Sequence, residues 1–230
     1  MSAKAVLPLT GVLVLCVALL GTTPDLGAQS TSAGRPGADA HARALQQRYQ
    51  NVKDFSADFT QSYRGGVLRT TTRESGTVRI KKPGMMRWRY LKPEPKEFVS
   101  DGRKMYSYIP ADKQVFVSNV PPDDQASSAV LFLAGKGDLT RDFVAAFVDG
   151  NPGSGQALKL TPRRAEPEYE FLIVATEPTT LRIVGLTTRD RQGGESALTF
   201  ANLKENQGIS DTEFAFRIPR GVDVSDGTRN

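Results

Sequence analysis

A single cysteine, a single histidine and a single tryptophan in 230 residues narrow the chemistry open to this chain. One thiol makes no intrachain disulfide, and one thiol with one imidazole cannot assemble a His/Cys zinc site. Nucleophile–histidine catalysis has only His41 to draw on, so an enzyme is the less favoured class from the outset. Nor is there a large excess of one charge. The 30 Lys and Arg residues face 25 Asp and Glu, a net +5 without the dense basic cluster of a nucleic-acid binder. Hydrophobic residues make up 39% and charged residues 24%, a globular balance that excludes both wholesale disorder and a polytopic membrane protein.

Long apolar runs are also scarce. The one near the N-terminus, Gly11–Leu20 (GVLVLCVALL), follows Lys4 and ends in the polar Thr22-Thr23-Pro24-Asp25. It is about half the length a membrane-spanning helix needs. The order of basic residue, apolar run and then Leu26-Gly27-Ala28 is that of a secretory signal peptide, so residues 1–28 are read as one, cut after Ala28. Bulky Val14 and Leu15 before Cys16 argue against a lipidation signal. Cleavage removes Cys16 and leaves an exported, disulfide-free protein. Residues 29–37 (QSTSAGRPG) have the composition of a flexible linker, and residues 38–230 are read as a single domain.

In that domain Ala40, Ala44, Leu45, Tyr49 and Val52 recur at helical spacing, predicting an amphipathic helix over Asp39–Lys53 with Asp39 as N-cap. His41, in its first turn, is expected to be exposed and is assigned no role. At Phe55 the period changes to two: Phe55, Ala57, Phe59, Gln61 and Tyr63 share one face of a strand. Further strands are expected at Gly76–Lys82, Met85–Leu91, Glu97–Ser100, Lys104–Ile109, Gln114–Asn119, Ala157–Pro162, Glu168–Ala175, Leu181–Arg189, Ser196–Glu205 and Glu213–Ile218. A second short helix is expected over Asp124–Ala134, while Asp138–Val148 fits a helix or a strand equally. Many antiparallel strands with two short helices imply a mainly β fold. The expected architecture is a strongly curved sheet forming an unclosed half β-barrel, with the helices as a lid over an apolar cavity.

The stretch Met85-Met86-Arg87-Trp88-Arg89-Tyr90 puts Met86, Trp88 and Tyr90 on one face and the arginines on the other. Nucleic-acid binding needs aromatics and cations in the same groove, so that partner is excluded. An inward Met/aromatic row is either ordinary core or the wall of an adaptable apolar pocket, and composition does not separate the two. The Gly-rich segment 150–155 lacks the Lys-Ser/Thr ending of a phosphate loop. Glu166, Glu168 and Glu170 would share one strand face, the only arrangement that imitates a hydrolytic carboxylate pair. A solvated face beside Arg163 and Arg164 is the simpler reading. No metal or other cofactor is expected.

Taken together, Phe55-Ser-Ala-Asp-Phe-Thr-Gln61, Gly76 through Tyr90 with its Lys82-Pro83-Gly84 turn, Pro93, Phe98-Val-Ser-Asp-Gly102, Tyr106-Ser-Tyr108-Ile-Pro110, Leu198-Thr-Phe-Ala-Asn202 and Phe214 through Val224 resemble the outer-membrane lipoprotein carrier family, LolA, in order and spacing. The resemblance implies a periplasmic chaperone that takes acylated lipoproteins from an inner-membrane ABC transporter and passes them to an outer-membrane acceptor, working as a monomer. It also implies a lid held by a basic residue before the turn proline. That residue is usually Arg and is Lys82 here, an ammonium in place of a planar fork. Candidate lipid-binding cavity residues are Phe55, Phe59, Met86, Trp88, Tyr90, Phe98, Tyr106, Tyr108 and Leu131, with Lys82 as the lid contact. The alternative reading is a periplasmic carrier of another lipid or glycolipid on the same scaffold.

Overall fold

Helix α1 spans Ala38–Gln50 and turns His41, Ala42, Leu45 and Tyr49 inward. Its N-cap is Gly37, which has no side chain to cap with, and Asp39 lies one residue inside the first turn, where a carboxylate favours the helix dipole. The computed structural model describes residues 37–66, 69–120, 133–135, 137–148 and 156–228. The expected signal peptide, nearly all of the expected linker and most of the expected helix over Asp124–Ala134 lie outside these residues.

Twelve strands follow α1: β1 (Asp54–Arg64), β2 (Thr71–Lys81), β3 (Met85–Lys92), β4 (Lys96–Asp101), β5 (Lys104–Ile109), β6 (Gln114–Asn119), β7 (Phe143–Phe147), β8 (Gln156–Pro162), β9 (Phe171–Thr176), β10 (Ile183–Arg189), β11 (Glu195–Glu205) and β12 (Asp223–Asp226). They form one sheet in the order β12-β6-β5-β4-β3-β2-β1-β11-β10-β9-β8-β7. The sheet is open, with β12 and β7 at its edges. Every pairing is antiparallel except β12 on β6.

Curvature follows from distances. β5 and β10 stand six strands apart in the sheet order, so a flat sheet would separate them by roughly 29 Å at the usual strand spacing. Yet Met105 of β5 and Leu186 of β10 line one cavity. The sheet therefore curls, and its concave side is the core. Phe55, Ala57, Phe59, Val78, Ile80, Met86 and Trp88 from one half meet Leu158, Leu160, Leu172, Val174, Leu186 and Phe200 from the other in one buried cluster, closed at one end by α1. An extra residue in β3, Leu91, bulges and helps that strand bend opposite the step from Ser75 to Gly76. Only glycine fits there, because a Cβ on Gly76 would stand 1.8 Å from the Arg89 carbonyl oxygen.

The convex side is covered too. The carboxylate of Asp54 accepts hydrogen bonds from the backbone N–H groups of Gln207 (2.7 Å) and Gly208 (3.0 Å), turning the chain after β11 back across the sheet. A 3-10 turn over Asp211–Phe214 then lies on β3 and β4, with Phe214 fully buried on that side. Arg87 Nη2 donates to the Ala215 carbonyl (2.7 Å), and Phe216 stacks on Tyr106 with ring centroids 5.1 Å apart.

Several expectations change. Glu213–Ile218 is not a strand: its alternating Phe214, Phe216 and Ile218 belong to a segment laid flat over the sheet, and the true last strand is β12. Asp138–Val148 is both of its alternatives in sequence. Asp138 Oδ1 caps a one-turn helix α2 (Leu139–Asp142) through the N–H groups of Thr140 (2.8 Å) and Arg141 (2.9 Å), and the chain then extends into β7. β2 begins five residues before the expected Gly76, its polar start paired to β1 and exposed. His41 is buried, not exposed. It packs edge-on against Phe147 with centroids 5.7 Å apart, and burial holds its imidazole below the usual value despite a hydrogen bond with Gln156.

Candidate functional site

On the concave side, between β3–β5 and β10–β11, the core does not fill the sheet. It leaves a cavity of about 340 Å³, within the range of small-molecule sites. Met86, Trp88, Phe98, Met105, Leu186 and Leu198 form its apolar walls. Strand register explains why these side chains meet: Trp88 faces Phe98 across β3 and β4, Met86 faces Ser100 and then Met105, and Leu198 faces Leu186. Directly opposed residues share a face, so one parity choice propagates across the whole sheet. A second space of about 220 Å³ continues from Met86, Phe98 and Met105 toward Phe116 of β6. Two of the lining residues are methionines, whose unbranched side chains conform to flexible ligands.

The wall on the other side of Trp88 is aromatic. Trp88 and Tyr90 meet Phe59 edge-on at 5.1 and 4.9 Å, and Tyr90 meets Phe98 at 5.6 Å. Beyond this row the concave face turns polar. Tyr90 Oη donates to Gln61 Oε1 (2.7 Å), and Gln61 Nε2 donates to Ser196 Oγ (2.9 Å). Lys96 Nζ pairs with Glu74 Oε1 at 2.6 Å and lies 4.4 Å from the centre of the Tyr90 ring. Burial and the nearby Glu74 push the Tyr90 phenol above its usual value, which keeps it a neutral donor. Thr188 and Glu168 complete this end of the cavity.

At the opposite end Lys82 sits beneath α1. Its Nζ donates to the Tyr49 carbonyl, in the last turn of the helix, and lies 3.5 Å from the centre of the Tyr49 ring. A cation there complements the negative end of the helix dipole. Tyr49 Oη in turn donates to the Leu133 carbonyl (2.7 Å), and Gly84 N–H donates to the Ala134 carbonyl (2.8 Å). The aliphatic part of Lys82 lies so close to Gly135 that a Cβ there would stand 2.8 Å from Lys82 Cδ. Gly135 also has φ +82, so glycine is required twice over. Burial lowers the Lys82 ammonium to about 8, with Glu205 opposing the shift and Arg48 adding to it.

Among the residues expected from sequence, Met86, Trp88, Tyr90 and Phe98 line the cavity. Phe59 supports its aromatic wall, and Phe55 lies nearer α1 beside Tyr49 and Leu133. Tyr106 borders the second space, but neither it nor Tyr108 lines the main cavity, which corrects the expectation. Tyr106 pairs with Val99 and Tyr108 with Glu97, positions on the convex face, where both rings approach Phe216. On β5 Met105 and Ser107 face inward, and Met105 is the one that reaches the main cavity. Leu131 lies outside the described residues. The glutamate row is also undone, because Glu166, Glu168 and Glu170 precede β9 in an irregular segment and share no strand face. Gln61, Met105, Glu168, Tyr169, Leu186, Thr188, Ser196 and Leu198 were missed as cavity residues. Alternation in β10 and β11 held the signal for Leu186, Ser196 and Leu198, but which parity faces Trp88 depends on the pairing of β1 with β11.

The family model described as outer membrane lipoprotein carrier protein LolA matches residues 50–217. The outer-membrane lipoprotein carrier protein of Hahella chejuensis is 30% identical over 203 residues, covering 86% of this chain and 92% of that protein. Its counterpart in Cupriavidus taiwanensis is 32% identical over 196 residues, covering 81% of this chain and 90% of the relative. Among solved structures, an uncharacterized conserved protein from Thermus thermophilus shares the fold with a TM-score of 0.50. At 14% identity, that match covers 80% of this chain and 98% of that one.

Proposed function

This chain belongs to the outer-membrane lipoprotein carrier family, and from that premise we propose that it carries acylated lipoproteins across the periplasm with their acyl chains in the concave cavity. The observation that supports this most is the gap itself, about 340 Å³ walled by Met86, Trp88, Phe98, Met105, Leu186 and Leu198 where a sheet of this size could have packed shut. Each acyl CH₂ moved there from water is stabilised by about 0.8 kcal/mol, enough for a small protein to hold chains that would otherwise leave water for a membrane. Release needs a better acceptor. Cargo passes from an inner-membrane ABC transporter to this carrier and on to an outer-membrane acceptor, each step downhill in acyl-chain affinity, and the carrier itself performs no chemistry. The contact of Lys82 with Tyr49, and of Tyr49 with Leu133, holds α1 and the end of the adjoining segment over the core, so cargo entry begins with their displacement.

The one tryptophan of the chain supplies the test, because Trp88 is in the cavity wall. Brominated acyl chains quench indole emission on contact. A synthetic diacylated cysteinyl peptide with brominated chains is expected to quench Trp88 saturably, and a soluble peptide without acyl chains is not. Absence of quenching by any acylated ligand would refute the carrier reading. Saturable quenching by a brominated phospholipid or glycolipid but not by the acylated peptide would replace it with carriage of a free lipid.

A further inference from the structure

We infer that the polar end of the cavity is a donor site for the carbonyl oxygen that joins an acyl chain to its head, an ester or amide carbonyl, and that it disfavours a free carboxylate. This rests on the carrier reading and adds what the cavity recognises besides hydrocarbon. The argument begins with the chain Tyr90–Gln61–Ser196, all three of which line the cavity. As oriented, Tyr90 Oη donates to Gln61 and Gln61 donates to Ser196 Oγ, which leaves the Ser196 hydroxyl proton and the second amide hydrogen of Gln61 uncommitted within the chain. Turning the amide over reverses the chain and frees the Tyr90 proton instead. Either way the series ends in a hydroxyl with a donor to give.

A wall with spare donors calls for an acceptor. The neighbouring charges select which one. Lys96 is already paired with Glu74 at 2.6 Å, and the remaining ionised group at this end is Glu168. Among the described residues an incoming carboxylate would find the one nearby cation already committed to Glu74 and the like charge of Glu168, a repulsion that a neutral carbonyl does not meet. The layout also matches an acyl ester or amide in one further respect. Hydrocarbon-lined space and the donor chain adjoin at Tyr90, whose ring packs on Phe59 and Phe98 and whose hydroxyl begins the chain.

The test compares two brominated cysteinyl peptides on the exported protein, one bearing palmitoyl esters and the other hexadecyl ethers of the same length, by quenching of Trp88. The wild type is expected to bind the ester about fivefold more tightly, the worth of one net hydrogen bond. The double substitution Tyr90→Phe with Ser196→Ala removes both terminal hydroxyls and is expected to abolish that preference by weakening the ester alone. Brominated palmitate is expected to bind more weakly than its methyl ester at neutral pH. Equal wild-type affinity for ester and ether, with both bound, overturns the donor site and leaves the carrier reading intact. Binding of neither overturns the carrier reading itself. Palmitate bound as tightly as its methyl ester overturns the selection against carboxylates, and an ester preference undiminished in a folded double variant overturns the assignment to these hydroxyls. The wild-type comparison needs no variant to fold.

Discussion

Replacing Lys82 by methionine keeps an aliphatic stem against Gly135 and removes the ammonium beneath Tyr49. The folded protein holds that ammonium near 8, against an ordinary value of 10.5, chiefly because burial strips water from it. A lysine whose folded value is lowered makes the unfolded chain the better proton binder between about pH 8 and 10.5, so stability rises with pH across that window. Below pH 8 both states keep the proton and the cost of burying it is felt in full. At 1.36 kcal/mol per pH unit the whole displacement amounts to about 3 kcal/mol. Lys82 is only partly buried, and solvent screening reduces this to about 1–2 kcal/mol. For a protein of this size that corresponds to about 3–6 °C in Tm. The assay is thermal unfolding followed by circular dichroism from pH 7 to 10, in the wild type and in Lys82→Met. The wild-type Tm should climb relative to the variant by that amount, with the steepest change beginning near pH 8. The phenols of Tyr49, Tyr90 and Tyr169, all raised by burial, lose their contribution only above pH 10 and are common to both proteins. Parallel curves across the window would refute the reasoning, since they would mean that the ammonium is as well solvated under α1 as in the unfolded chain.

The register of β5 is checked by neighbours: Met105→Glu puts a carboxylate in the proposed cavity and should abolish Trp88 quenching by a brominated acyl peptide, whereas Tyr106→Glu, on the convex face, should leave it intact. Phe214→Ala, at a fully buried site under the C-terminal segment, should cost about 3–5 kcal/mol in urea unfolding while acyl binding below the denaturation range is retained. Asp54→Ala leaves the N–H groups of Gln207 and Gly208 without their acceptor and should cost about 3 kcal/mol. Amide exchange at residues 207–209 should accelerate more than in the β1–β2 ladder, and uniform acceleration across both would refute a local role for the carboxylate.

Much of the fold was legible in the chain before any coordinates. Alternation along Phe55–Tyr63 and Met85–Tyr90 reports a sheet with one buried face because the strand period is two whatever the tertiary context. Boundaries failed where alternation and burial part company. The polar start of β2 is a strand through pairing alone, whereas of the alternating aromatics Phe214 closes a 3-10 turn and Phe216 follows it without pairing to a strand. The site was read by half. Met86, Trp88 and Tyr90 lie on a strand whose own sequence declares an inward face, whereas β5, Lys104–Ile109, carries a large side chain on each face and its sequence does not separate Met105 from Tyr106 and Tyr108. The two tyrosine rings are half-buried, against Phe216 on the other side.

Composition, period and motif order determined that this chain makes a large antiparallel sheet with a Met/aromatic inner row, and which family it resembles, because those signals are local and survive in any context. Tertiary structure alone decided which parity of β5, β10 and β11 meets Trp88, that Lys82 reaches the last turn of α1, and that His41 is packed against Phe147. It also decided that the concave face stops being apolar at Gln61, Tyr90 and Ser196. The physical reason is the same in each case. Facing residues such as Phe59 and Phe200 come from distant parts of the chain, and a one-residue change in any intervening register would turn every later side chain to the opposite face.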